Sequence, residues 1–461
     1  MNRYAKRSVQ IALVALLPVM GVAGCNDFLS GGELSQDPNR AGAATSAQLL
    51  VTSQITLWSE LSSDPARLAS MWVQSLAGVN QQYVPIYNYN ISETTTNGFY
   101  SALYTTGGLI DLRKIEAASV NVHDSLFLGI AQAEEALLMG TGADLFGDVV
   151  YSQAFANPTP KLDPQDQVYS AVQALLSKAI VNLQATGPTN IGPGSNDLVY
   201  GGTAAPWIAL AHSIKARLYL HTAKVNSGAY ASALAEAQLG IAAPAGDYVT
   251  IWGGATGQQN YWYQFLGPAG RGGYLGMGVY LPPLLQTAND PRMNEYYNAG
   301  GAYAPLSDFI STPTYPQPLV TNSETLLIIA ETQERAGNSA AALTALETEQ
   351  ANETARCSAL TGTTCVLPPI TATTGAALLQ AILTEKYIYE FQNLEAWSDY
   401  KRNCFPNLTP VAAGKIPARL YYDTSERQTD PNIPAPNAVP FRTHDDPAAA
   451  TDPFGNTCLG Q

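Results

Sequence analysis

The sequence predicts a mostly α-helical protein of stacked helix pairs, an α–α superhelix, with long irregular loops rich in glycine, proline and aromatic residues. Three observations carry that prediction. Apolar residues recur near 3.6-residue spacing through most of the chain. Two stretches repeat a helix, a glycine-containing break and a second helix. No set of alternating strands is found that would build a sheet domain.

The elements follow in order. "SAQLLVTSQITLWSEL" (46–61) sets Leu49, Leu50, Ile55, Leu57 and Leu61 on a helical period. Asp64-Pro65 opens a further helix with a capping residue followed by proline, and "ARLASMWVQSLAG" runs on to a terminating Gly78. Further helical stretches span about 98–119, 124–143, 164–185, 205–225 and 229–242, and a last group about 322–337, 339–354 and 374–403. Trp58, Trp72, Trp207 and Trp397 fall inside these periods and are expected in the core. The intervals 244–320 and 405–461 are irregular.

"LYLHTAKVNSGAYASALAEA" (218–237) and "LIIAETQERAGNSAAALTAL" (327–346) carry the repeat. Their small residues let paired helices approach closely, so that each unit buries its apolar face on the next. That is the logic of tetratricopeptide-like stacking. With 131–156, three or four divergent repeats are expected.

The chain begins differently. Arg3, Lys6 and Arg7 precede an apolar stretch, Val9 to Met20, interrupted by Pro18. It is too short to span the ~30 Å hydrocarbon core of a bilayer and reads as an export leader. Val22-Ala23-Gly24-Cys25 resembles the bacterial lipobox, in which the thiol of the cysteine is acylated and the chain is cut before it. Only a thiolate is nucleophilic enough to form that thioether. The alternative is an ordinary leader cut near Ala23. The expected organisation is a leader (1–24), a lipid-anchored tether (25–44) and one helical domain (45–461).

Acylation of Cys25 leaves Cys357, Cys365, Cys404 and Cys458, which permit three connectivities. Cys357 and Cys365 enclose the short loop "SALTGTT", cheap to close. Cys404 with Cys458 would then tie back a proline-rich tail. An oxidising compartment favours both bridges; the alternative is free buried thiols. His123, His212, His221 and His444 are scattered and no zinc-type spacing occurs, so neither metal nor cofactor is expected.

Charged residues make up 13% of the chain, against the usual ~25%. The net charge is −14, and removing a leader with three basic and no acidic residues takes it to −17. Such a surface argues against nucleic acid, whose phosphates require Lys and Arg. With 25 tyrosines it suits neutral ligands that stack and hydrogen-bond, although exported proteins commonly share this composition.

Five further segments are informative together: "TGADLFGDVVYSQAF" (141–155), "APWIALAHSIKARLYLHTAK" (205–224), "SETLLIIAETQERAGNSAAAL" (323–343), "LTEKYIYEFQNLEAWSDYKRNCFPNL" (383–408) and "IPARLYYDTSERQTDPN" (416–432). They resemble the motifs of the SusD/RagB family, with Val150 where proline is usual and with Glu324, Glu331 and Arg335 in register. The resemblance covers most of the mature chain. It implies an outer-membrane, cell-surface lipoprotein that holds a glycan or peptide and works beside a TonB-dependent, SusC-like transporter. Arg335 and Arg402 are expected to brace helix packing, Asp399 and Arg402 to pair three residues apart. Glu324, Glu331, Glu385, Glu390 and Glu395 read as structural or solvated.

No G-x-S-x-G, HExxH, Walker or dinucleotide fingerprint occurs, and no carboxylate pair stands out for glycoside hydrolysis. No enzyme activity is expected. Aromatic rings stack on the apolar faces of sugars, and two clusters offer them. "NQQYVPIYNYNI" (80–91) contains Gln81, Gln82, Tyr83, Tyr87 and Tyr89; "IWGGATGQQNYWYQFLG" (251–267) contains Trp252, Tyr261, Trp262 and Tyr263. "YWYQF" equally fits a short strand with one face buried. The competing readings are a lipid-anchored tetratricopeptide-type scaffold in envelope assembly and a helical-toroid glycosidase.

Overall fold

The computed structural model describes residues 44–298 and 304–461; the leader, Cys25 and nearly all of the tether lie outside them. Helices α1 (Ser46–Ser62) and α2 (Asp64–Trp72) are separated by Ser63, with Pro65 in the first turn of α2, where a missing N–H costs nothing. There follow β1 (Leu76–Gly78), α3 (Tyr83–Tyr87), α4 (Glu93–Ala102), α5 (Leu109–Val122), α6 (Ser125–Phe146), α7 (Gln165–Gln184), α8 (Ala204–His221) and α9 (Ala229–Ala237). The middle of the chain holds β2 (Tyr248–Val249), α10 (Tyr261–Leu266), β3 (Leu275–Met277), α11 (Leu281–Ala288), α12 (Arg292–Tyr296) and β4 (Pro318–Val320). It closes with α13 (Asn322–Arg335), α14 (Ser339–Thr361), α15 (Gly375–Tyr389), α16 (Glu395–Asn403) and α17 (Thr424–Thr429).

The protein is mostly helical. Helices α5, α6, α7, α8 and α9 pack each on the next, α9 packs on α13, and α13 on α14 and α15, so the stack continues across the irregular middle. Helix α6 is buried on nearly every side. Small residues make that possible: a Cβ at Gly129 would stand 2.7 Å from Leu183 of α7, and one at Gly140 3.0 Å from Leu218 of α8. The strands form two antiparallel pairs, β1 with β3 (Ala77 opposite Gly276) and β2 with β4. No helix among the described residues is long and apolar enough to cross a membrane.

Three expected boundaries move. The helix read through to Gly78 stops at Trp72, because Leu76–Gly78 pairs with β3 and Gly78 meets the carbonyl of Tyr83, 2.1 Å from where a Cβ would be. The stretch 98–119 breaks into α4 and α5 at Gly107, whose φ is +82°. The stretch 374–403 breaks into α15 and α16 around Gln392, at φ +64°. Trp58, Trp72, Trp207 and Trp397 are all at most 1% exposed. Disulfides join Cys357 to Cys365 and Cys404 to Cys458, with Cα separations of 5.9 and 6.1 Å.

Buried ion pairs lock the stack. Arg217 of α8 grips both oxygens of Glu324 on α13 at 2.7 and 2.5 Å. Arg402 of α16 grips both oxygens of Glu331 on α13 at 2.7 and 2.8 Å and also Asp399 at 2.5 Å. His221 of α8 stands between Asp144 of α6 (2.7 Å from Nδ1) and Glu395 of α16 (2.8 Å from Nε2). Burial opposes its charge, but the two carboxylates outweigh burial and lift His221 to about 10. Burial likewise works against charge on Glu331 and Glu395, yet Arg402 and Arg335 hold the first, and Arg217 and His221 the second, well below the usual carboxylate range.

The sign of the histidine's contribution follows. His221 keeps its proton to about pH 10 when folded and to 6.5 when unfolded, so its stabilisation is complete below 6.5 and is lost as pH rises through 10. The pH–stability curve of the wild type minus that of His221→Asn should be flat below 6.5 and fall toward pH 10. A difference that stays flat across that interval would contradict the buried imidazolium.

Candidate ligand site

The segment after Gly78 turns into α3 and then α4. Ser92 opens α4 by a reciprocal cap in which its backbone N–H donates to Thr95 Oγ1 at 3.1 Å. The cap brings Thr94, Thr95 and Phe99 opposite α2 and α3. Between these elements lies a cleft of about 480 Å³, within the range of small-molecule sites. It is lined by Asp64 and Leu68 of α2, by Gln82, Tyr83, Ile86 and Asn90 in and beside α3, and by Thr94, Thr95 and Phe99 of α4.

Tyr83 borders the cleft but does not offer it a ring face. It is 3% exposed, packs edge-on against Phe265 at 5.4 Å, and donates its hydroxyl to Asp64 Oδ1 at 2.9 Å. Burial pushes its phenol up to about 12. Asp64 also receives Nε and Nη2 of Arg67, whose guanidinium lies 4.3 Å from the Phe265 ring centre.

The second cluster is a helix, not a strand. Asn260 Oδ1 accepts from the backbone N–H of Trp262 (2.8 Å) and Tyr263 (3.2 Å), and this cap winds "YWYQF" into α10. Helical spacing then turns Trp262 and Phe265 inward together. Trp262 is fully buried. The expectation of ligand-stacking surface at Tyr83 and Trp262 is therefore corrected: both rings are core, oriented inward by the turns that precede them. Tyr87, Trp252, Tyr261 and Tyr263 are half-buried. Trp252 meets Tyr261 edge-on at 4.8 Å and Trp58 at 5.4 Å, and beside the pair stand Ile55 (39% exposed) and Ile251 (48% exposed). The two clusters are joined by buried rings, Tyr83 on Phe265, and do not share one cleft. Sequence reading missed Phe99 and the threonines of α4; "SETT" ahead of an apolar residue was the available signal.

Asp144, His221 and Glu395 are the one group of metal-ligating type close enough to share an ion among the described residues. Each imidazole nitrogen lies within hydrogen-bond distance of a carboxylate oxygen, and those carboxylates favour the doubly protonated ring, in which neither nitrogen has a lone pair to give. The cluster is a clasp.

A family model described as "Starch-binding associating with outer membrane", SusD-like_2, matches residues 38–423. The chain belongs to the SusD-like family. Similar solved structures agree on the fold. A SusD/RagB family protein from Bacteroides thetaiotaomicron is 20% identical, with 88% of this chain and 100% of that one covered at a TM-score of 0.68. A SusD homolog from Bacteroides uniformis is 18% identical, with 88% and 100% covered at 0.70. A chitin-binding SusD homolog from Flavobacterium johnsoniae is 17% identical, with 87% and 99% covered at 0.68. No curated protein matches the chain. In this SusD-like protein the motif residues Glu324, Glu331, Asp399 and Arg402 lie in the buried ion-pair lattice, away from the cleft.

Packing and exposure can be separated by mutation. Trp262→Ala and Tyr83→Ala should each lose ~3–5 kcal/mol in denaturant unfolding, and Trp252→Ala less than either. Near-native stability of Trp262→Ala would mean that its ring is not part of the core.

Proposed function

We propose that this protein is an outer-membrane, surface-exposed lipoprotein that binds neutral glycans and delivers them to a TonB-dependent, SusC-like transporter. The observation that carries the reading is the cleft between α2, α3 and α4 in a chain of the SusD-like family. Its lining of side-chain amides, hydroxyls and an aromatic ring supplies hydrogen bonds and a stacking surface without strong net charge. The chain's charge of −14 disfavours polyanions, and the chitin-binding description of one similar structure fits the same chemistry.

Binding is favoured over hydrolysis. Glycoside hydrolysis uses two carboxyl groups across the scissile bond. Asp64 is the acid among the residues lining this cleft, and Arg67 and Tyr83 already engage it. The half-buried Trp252, Tyr261 and Tyr263, with Tyr87, form a second candidate surface. Residues 1–24 act as the leader and Cys25 as the acylated first residue of a tether to 44, ahead of the helical domain 45–461.

Calorimetric titration with neutral oligosaccharides should show binding that Phe99→Ala weakens by about 2 kcal/mol, as expected of a stacking hot spot. Binding lost in Trp252→Ala but kept in Phe99→Ala would move the site to the second surface. Failure of every neutral glycan, with protein partners retained on pull-down, would favour a scaffold instead.

Cys25→Ser should abolish incorporation of labelled fatty acid and release the protein from the detergent phase. Continued labelling of that variant would remove the anchor assignment.

A further inference from the structure

Helices α12, α14 and α15 meet in a cluster of buried charges that lies apart from the cleft and does not balance. Its cations are two guanidiniums. Arg292 of α12 is answered by Asp290 at 2.7 Å and by both oxygens of Glu385 on α15. Arg356 of α14 is answered by Glu295 of α12 at 2.7 Å and by Glu353 of its own helix at 2.9 Å. Four carboxylates thus face two cations, and all four are buried. Glu349 of α14 makes a fifth acid. It is 0% exposed, and neither of its oxygens has a hydrogen-bond partner among the described residues. Around it stand Glu385 of α15, Glu353 and Arg356 of α14, and Arg292 of α12. Glu295 and Tyr296 of α12, Tyr389 of α15, and Asp247 and Tyr315 from the middle of the chain border the same cluster. Helix α13 brings to it only the hydroxyl of Ser323, 3.3 Å from Glu353.

A carboxylate buried without a cation of its own is not sustained as an anion; it takes up a proton instead. Each guanidinium here already holds two carboxylates, so neither is left for Glu349. We propose that the junction of α12, α14 and α15 is a proton-held lock: a proton on Glu349 lets the three helices close, and its loss to solvent as pH rises parts α12 from the helix pair. Helix α12 belongs to the irregular middle of the chain and α14 with α15 to the stack, so the lock sets how firmly one is mounted on the other. Burial, with Glu385 and Glu353 beside it, pushes the Glu349 carboxyl well above the usual range, against the pull of Arg292 and Arg356. Unfolded, the group ionises near 4.5. Its cost to stability is therefore absent below that pH. Above it the folding equilibrium weakens about tenfold per pH unit, until the folded group ionises as well. The inference stands apart from whatever the cleft holds.

Glu349→Gln keeps the shape of the protonated acid and has no proton to lose. Denaturant unfolding of the full mature protein in detergent micelles, across about pH 5 to 9, should show the wild type losing stability relative to this variant by about tenfold per unit from the acid end upward. Glu349→Met, of like length and without charge, gives the same comparison if the amide disturbs folding. The acids common to wild type and variant cancel in the difference. Hydrogen exchange then locates the opening. With the intrinsic pH dependence of exchange divided out, amides of α12, α14 and α15 in the wild type should lose protection as pH rises and fall below those of α6. A difference between wild type and variant that stays flat, or that grows in favour of the wild type, means that Glu349 is ionised in the fold and overturns the inference. Protection in α14 and α15 that stays level with that of α6 means that the fold opens only as a whole, and this overturns the lock.

Discussion

Once a guanidinium is buried its charge must be matched, and the stacking of this protein turns on that constraint. Arg217 and Arg402 are 3% and 5% exposed, and each meets a carboxylate of α13 with two hydrogen bonds. Removing one partner of such a pair leaves an uncompensated charge in the interior, at ~3–5 kcal/mol. The pairs therefore hold the relative positions of α8, α13 and α16 more tightly than apolar contact alone, which tolerates sliding. His221 extends the lattice to α6, and Lys386 of α15 joins it 2.6 Å from Asp399. Not every acid of the lattice is hydrogen-bonded among the described residues, even where a cation is near, as Lys386 is to Glu390 at 3.7 Å. Glu390 is buried with neither oxygen bonded, and burial, with Asp399 nearby, pushes its carboxyl well above the usual range.

That lattice explains which parts of the molecule were legible in the sequence. Glu324, Glu331, Arg335, Asp399 and Arg402 sit at fixed helical spacings, and lysine would not reproduce the two-oxygen grip of Arg217 on Glu324 or of Arg402 on Glu331. Their pattern survives as text, so the family and the helical architecture could be read directly. The aromatic clusters carry no such constraint. Trp252 and Trp262 stand in one glycine-rich segment and look equivalent as letters, yet Asn260 caps α10 and turns Trp262 fully inward while Trp252 stays half-open. Tyr83 is likewise decided by the close approach of Gly78 to its own carbonyl. Local turn geometry, invisible to periodicity, sorted rings into core and surface.

The repeat stack and the cleft make different demands on the chain. Stacking needs small residues on helix faces, and Gly129 and Gly140 of α6 supply them against α7 and α8. A ligand surface needs polar groups that the protein leaves unused, and these come from the segments between helices, such as Gln82 and Asn90. Mounting these segments on a charge-locked stack allows the lining to change without disturbing the lattice. It is the arrangement expected when one architecture serves many ligands.

The irregular tail is part of that mounting. Helix α4, one wall of the cleft, is tied to residues far along the chain: Thr96 donates to the carbonyl of Tyr421 at 2.8 Å, Asn97 accepts from the N–H of Thr424 at 3.1 Å, and Glu93 pairs with Arg427. The segment just before those residues is anchored in turn, since the guanidinium of Arg419 donates to the carbonyl of Phe146 at the end of α6 and Leu420 N–H to that of Leu145. The Cys404–Cys458 bridge fixes the last residues to the end of α16. A ten-residue helix such as α4 is marginal by itself, so its position is set by these contacts and not by its own propensity. The wall of the cleft is thus carried back, through the tail, to α6 and α16, the same helices that the buried charges hold together.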